Sequence, residues 1–120
     1  MADAQRYFIT IDDLARARGE FSDLSFQGGS PASFAKLLQQ ALREPVLWRR
    51  WRQMQPDPDA VDPALGIDDP NATATAHQSD LHCDVEVVTS LPHQILKHRL
   101  GLLIGKHWTL RDVRAAHRPS

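Results

Sequence analysis

A chain of 120 residues, 42% of them hydrophobic, is long enough for one buried core, and it has no apolar run of membrane-spanning length. The formal net charge of −1 excludes a strongly basic or acidic protein, and the single cysteine excludes an intrachain disulfide. The first residues lack the basic and apolar regions of a secretory signal, so we expect a cytoplasmic protein, and the preference for arginine over lysine suggests a GC-rich bacterial genome.

The first predicted elements are a strand and a short helix. Apolar and polar residues alternate over residues 6–11, which predicts a strand to about Thr10. Thr10 and Asp13 resemble a capping box at the start of a helix. Gly19 stands where such a helix would end, and we therefore expect a short helix from about Ile11 to Arg18.

The clearest helical pattern runs from Ser30 to Met54. Ser30 can cap this helix, and Pro31 suits its first position because the missing N–H is not needed there. Pro45 interrupts the pattern, so we expect a second helix from Pro45 to Met54, with a single kinked helix as the alternative. The apolar stripe of the first helix is Phe34, Leu37, Leu38, Ala41 and Leu42. The predicted buried stripe of the second is Leu47, Trp51 and Met54, with Trp48 on its flank.

A long internal loop at about residues 55–80 is rich in Asp and Pro. We expect one helical turn near Val61 to Leu65 and otherwise mobile chain, because few apolar side chains are present to offset the ordering entropy. Basic residues on either side would hold this loop weakly, through exposed pairs that salt screens. The candidate partners are Arg49, Arg50 and Arg52 or the arginines near the C-terminus.

The last third of the chain begins with the sharpest strand signal, LHCDVEVVT at residues 81–89. Cys83 falls on its apolar face, which predicts a buried and unreactive thiol. Ser90 can cap a helix over residues 92–104, and Gly105 would end it. Residues 107–116 fit either a strand that returns to the sheet, which we favour, or a short capped helix.

These elements predict one α+β domain over residues 1–120. We expect a small antiparallel or mixed sheet packed against about three helices, and an all-α domain is the alternative.

The most suggestive local sequence is Trp48 to Arg52, in which arginines alternate with tryptophans. Arginine with aromatic side chains can bind phosphate and stack on bases, but the same pattern fits a helix with a core tryptophan and a solvated basic face. The histidines and Cys83 lack the spacing of a metal site, and the Asp-rich loop lacks the order of a calcium loop. The sequence therefore predicts no metal, no cofactor and no catalytic residue.

The function indicated by the sequence is a non-enzymatic protein–protein interaction or regulatory module, with another protein or a second copy as partner. The alternative is a regulator that binds nucleic acid through the Trp48–Arg52 cluster and the basic C-terminal third. The residues that we expect to make these contacts are Trp48, Arg49, Arg50, Arg52, Arg111 and Arg114. A continuous basic face would favour nucleic acid, and an exposed apolar patch around Trp48 would favour protein.

Overall fold

The computed structural model describes residues 4–80 and 82–116 of the chain. Within these ranges the strands are β1 (Gln5–Ile11), β2 (Thr73–Ser79), β3 (His82–Thr89) and β4 (Thr109–Ala115). The helices are α1 (Pro31–Arg43), α2 (Val46–Gln53) and α3 (His93–Ile104). Single 3₁₀ turns lie at Leu14–Arg16, Pro58–Ala60 and Pro63–Gly66.

The strands form one antiparallel sheet in the order β2-β3-β1-β4. The helices cover one of its faces and leave the other open. Apart from the additional helix α2, this order of strands and helices is that of the ferredoxin-like, or split βαβ, arrangement. The predicted α+β class is confirmed, and the all-α alternative is wrong. None of the helices in the described ranges is long and apolar enough to cross a membrane.

The core lies between the sheet and the helices. Alternate residues of β3 are buried from Cys83 to Thr89, as the sequence predicted, while Leu81 lies outside the described residues. The largest fully buried apolar side chains are Tyr7, Ile9, Ile11, Phe34, Leu38, Leu42, Val85, Leu96, Leu100, Leu103 and Ile104. They come from both central strands and from both long helices, which explains why this sheet face is covered.

Helix α1 begins as the sequence predicted. The Ser30 hydroxyl accepts a hydrogen bond from the Ser33 N–H at 3.0 Å, and Pro31 occupies the first position. The helical conformation is interrupted at Glu44 and Pro45, so α1 and α2 are separate helices. The alternative prediction of a single kinked helix is wrong. On the flank of α1, the side-chain amide oxygen of Gln39 accepts a hydrogen bond from the Ala74 N–H at 3.1 Å. This side chain therefore occupies part of the outer edge of β2.

The predicted orientation of α2 is wrong. Trp48 is only 8% exposed, whereas Met54, which we expected to be buried, is 44% exposed. The orientation differs because the Trp48 ring packs directly on Gly66, a residue distant from α2 in sequence. A Cβ at Gly66 would lie 2.7 Å from that ring. Leu47 and Trp51 are half-buried, so the helix is rotated towards the turn at Pro63–Gly66.

The predicted helix from Ile11 to Arg18 is also wrong. Ile11 continues β1 and pairs with Cys83, and only a single 3₁₀ turn follows. Asp13 does not cap this turn with its side chain. The chain instead remains extended, so that Gly19 passes against the Leu102 carbonyl, where a Cβ would not fit.

The acidic loop is shorter than the sequence predicted, because residues 73–79 form the edge strand β2. Its apolar positions are filled by alanines, which are poor strand formers and gave no strand signal. In the remaining irregular segment, residues 54–72, the turn at Pro63–Gly66 overlaps the one predicted near Val61 to Leu65, and a second turn lies at Pro58–Ala60. We call residues 54–72 the acidic segment.

The end of the chain follows the favoured prediction. Residues 109–115 form β4, so the capped-helix alternative is wrong. Pro92, and not Ser90, occupies the N-cap position of helix α3, and no side chain caps the helix, so the predicted capping role of Ser90 is wrong. The Ser90 N–H instead bonds to Asp69. Gly105 ends α3 with a φ of 64°, a conformation that favours glycine.

Candidate interaction surface on the helical side

The arginines singled out in the sequence lie on opposite sides of the sheet. Helix α2 packs on α1, α3 and the turn at Pro63–Gly66, so Arg49, Arg50 and Arg52 belong to the helical side. On the open face, the Arg111 Nε donates to the Thr10 hydroxyl at 3.3 Å, and Arg114 lies over the Phe8 ring. The described arginines therefore form no continuous basic face, and Arg118 lies outside the described residues.

Trp48 does not form the exposed apolar patch that the sequence suggested. Its ring is buried against Gly66, and the Arg52 guanidinium covers it at 5.6 Å from the ring centroid. Arg52 also donates to the Pro58 carbonyl at 3.0 Å. Trp48 thus fixes α2 to the acidic segment, and other side chains of α2 remain available for contacts.

Buried Arg99 is the main anchor of the acidic segment. Its side chain is fully buried and donates to the carbonyls of Ala41 at 2.6 Å, Leu65 at 2.8 Å and Ile67 at 3.0 Å. Burial lowers the pKa of Arg99, and nearby Asp68 opposes this effect. Because Ala41 is in the last turn of α1, the guanidinium also faces the negative end of that helix dipole.

Asp69 is a second anchor. Its carboxylate accepts hydrogen bonds from the Thr89 hydroxyl at 2.8 Å and from the N–H groups of Ser90 and Asn71, each at 3.0 Å. Burial raises the pKa of Asp69, but these hydrogen bonds outweigh burial and leave the pKa below its usual value. Among the described arginines, the predicted attachment by an ion pair is found only for Arg52, which reaches Asp59 at 3.5 Å, while Arg50 donates to the Asp23 carbonyl.

Polar groups at the junction of α2 and α3 are incompletely paired. Trp48 Nε1, His98 Nδ1 and Arg99 Nε are buried and have no hydrogen-bond partner within the described part of the chain. The His98 ring meets the Trp51 ring edge-on at 4.5 Å between centroids. Burial and the Arg99 charge both lower the pKa of His98, so this imidazole is neutral at pH 7.

The helical side carries two adjoining depressions that meet at Gly101. Each encloses about 490 Å³, and both are lined by Glu20, Lys97 and Gly101. Phe21 and Trp51 form the wall at one end, and Trp108 forms the wall at the other. We call this combined feature the α3 groove.

A smaller cleft of about 280 Å³ lies between the end of α1 and the start of α2. Leu37, Leu47 and Leu103 supply apolar surface, and Val46 beside them is 55% exposed. Glu44 and Arg50 stand among its polar lining residues. We call this feature the α1–α2 cleft, and it is where Arg50 of the predicted cluster contributes.

The open face of the sheet holds a different arrangement, a polar cluster around Asp84. The Asp84 carboxylate lies 3.3 Å from His82 Nε2 and 3.7 Å from His77 Nε2, and it accepts from the Thr10 hydroxyl at 3.3 Å. Beside it, Arg6 pairs with Glu86 at 3.0 Å. A cleft of about 300 Å³ adjoins this cluster, and its carboxylates Asp84 and Glu86 already have partners, while its Arg111 donates to the Thr10 hydroxyl.

The thiol of Cys83 is fully buried on the helix-covered face of β3. Burial, and secondarily the charge of Asp84, raises the pKa of the Cys83 thiol, which disfavours the thiolate that a nucleophile needs. Across residues 4–80 and 82–116, no group of three or more His, Cys, Asp or Glu side chains could hold a metal ion.

Comparison with known proteins finds no matching family model, no similar curated protein and no similar solved structure. The split βαβ arrangement supports many unrelated functions, so it does not select one. The surface of this chain therefore provides the evidence that bears on its function.

Sequence reasoning missed both Arg99 and Gly101, although each has a visible signal. Arg99 follows Ile95 by four residues and Leu96 by three, which places a cation on the buried stripe of a helix. Gly101 interrupts the same helical pattern on the side of Lys97 and His98.

Proposed function

We propose that the protein is a non-enzymatic interaction module that binds another protein through its helical side. The observation that carries this proposal is the pair of partly apolar depressions on this side, the α3 groove and the α1–α2 cleft with exposed Val46. Aromatic side chains line both ends of the groove, and tryptophan is among the residues that supply most of the binding energy in protein interfaces. The charged groups of the open sheet face, in contrast, mostly satisfy one another.

The rigidity of the helical side supports the same proposal. Trp48 and Arg99 fix α2 and the acidic segment to the core, so the α3 groove and the α1–α2 cleft are formed before any partner arrives. A preformed surface loses less conformational entropy on binding than a mobile one. A cytoplasmic location is part of the proposal, in line with the unpaired Cys83.

The test compares two exposed positions on opposite sides of the sheet. Val46 on α2 is 55% exposed. Thr109 of β4 is exposed and pairs with Thr10, so it lies on the open face. We expect Val46→Asp to weaken capture of a partner from bacterial cytosolic extract and Thr109→Asp to leave capture intact. Thermal unfolding of both variants checks that the fold survives.

Nuclease treatment of the extract separates this proposal from the nucleic-acid alternative. Capture by the native chain should persist after nuclease, because the contact is with protein. Capture that nuclease abolishes, or an equal loss in Val46→Asp and Thr109→Asp, would contradict binding of a protein through the helical side.

A further inference from the structure

Gly101 has no structural reason to be glycine. It lies within α3, its φ is not positive, and a Cβ built on it would meet no atom within 4 Å. Gly66 differs, because a side chain there would collide with Trp48, and Gly105 differs because its φ is 64°. A glycine inside a helix lowers helix stability relative to alanine, so Gly101 costs stability without improving any contact in the chain.

The space above Gly101 is the centre of the α3 groove. The two depressions meet there, between the aromatic end at Trp51 and the aromatic end at Trp108. The Trp108 indole is fixed in place by donating to the Gly105 carbonyl at 3.2 Å. A side chain at position 101 would fill the floor at this point, so the glycine keeps the groove continuous.

The charged groups of the groove favour an acidic occupant. Lys97 and Lys106 are exposed on its rim, and neither forms a salt bridge with any residue that the structure describes. Glu20 supplies one opposing charge, and neutral His98 supplies none. The rim is therefore positive, although the chain as a whole has a net charge of −1.

We propose that the α3 groove binds an acidic segment of a partner protein, which places an apolar side chain over Gly101 between the two aromatic ends. This inference rests on the proposed function and names the chemistry of the partner. The apolar side chain replaces water on the groove floor, and carboxylates on the same segment pair with Lys97 and Lys106.

The test uses a displayed library of random linear peptides selected on the full chain. Enriched peptides should combine Asp or Glu with a large apolar residue, and synthetic copies should bind the native chain. Gly101→Ala should weaken their binding by about tenfold, because the added methyl group occupies the contact. The same substitution should raise the thermal midpoint by roughly 3–6 °C, which shows that the loss of binding is not a loss of fold.

Charge variants provide the second arm. Replacing Lys97 and Lys106 together by Glu should weaken binding by about tenfold at low salt, whereas Lys36→Glu, an exposed position on α1, should leave it unchanged. Basic enriched peptides, equal binding by Gly101→Ala, or no enriched family at all would overturn the inference. Capture that still depended on Val46 would then leave the proposed function standing.

Discussion

On the open face of the sheet, charged side chains pair with each other at the surface, whereas on the helical side Arg99 and Asp69 are buried and bond mainly to the backbone. Arg6 and Glu86 are 3.0 Å apart with both side chains 39% exposed. Arg99 is fully buried and bonds to three carbonyls, and it forms no salt bridge with any carboxylate in residues 4–80 and 82–116. Exposed pairs contribute little, while a buried cation cannot be removed without leaving buried carbonyls unpaired. The acidic segment is therefore held mainly by hydrogen bonds between a buried side chain and backbone groups, and only slightly by ion pairs.

Arg99→Met should destabilise the protein more than any other single substitution considered for these two faces. We expect a loss of about 3–5 kcal/mol in the free energy of unfolding, because three buried carbonyls lose their donor. Chemical denaturation measures the loss, and amide exchange should accelerate across residues 58–69. Lys97→Met, an exposed neighbour on α3, is the control and should be near neutral. Equal effects of the two substitutions would show that Arg99 does not hold the segment.

Asp69→Asn should have the next largest effect, about 1–3 kcal/mol near neutral pH, because the carboxylate accepts three hydrogen bonds. The pKa of Asp69 is lower in the folded protein than in the unfolded chain. Its contribution is therefore present above about pH 4 and is lost as the pH falls through the folded pKa. Denaturation at about pH 7 and about pH 3 should show the difference between native and variant shrinking at the lower pH. A difference that grew on acidification would contradict this sign.

The surface pair of Arg6 and Glu86 should give the smallest effect. In a double-mutant cycle with Arg6→Gln and Glu86→Gln, we expect a coupling energy of about 0–1 kcal/mol that decreases as salt is added. The measurement is chemical denaturation of the four proteins at low and high salt. A coupling as large as the loss in Arg99→Met would remove the distinction between the two sides.

Local signals in the sequence were sufficient to predict α1, its end and β3. Ser30 and Pro31 marked the start of α1, Pro45 marked its break, and the alternation around Cys83 marked β3. Each of these features depends on residues close in sequence, so the sequence could predict it. The class of the fold followed from the elements that these signals identified.

The features that the sequence did not predict depend on contacts between residues far apart in the chain. The orientation of α2 is set by Trp48 packing on Gly66, and β2 exists because it pairs with β3 while α1 covers it. Of the predicted contact residues, only Arg50 lines the α1–α2 cleft, and Arg111 lies on the opposite face. Periodicity shows which residues share a face of one helix, but not which other element will cover that face.

The strand order also has a consequence for synthesis of the protein. Strand β1 lies between β3 and β4. Its hydrogen-bond ladders to these two strands are complete only after Thr89 and Ala115, the partners of Gln5, have been synthesised. At about 5–20 residues per second, roughly 5–20 s separate the appearance of β1 from that of β4 on the ribosome. During this interval the central strand of the finished sheet has an unpaired edge, which other nascent chains can bind. The exposure of the β1 edge is therefore confined to translation and early folding and ends when β4 pairs with it.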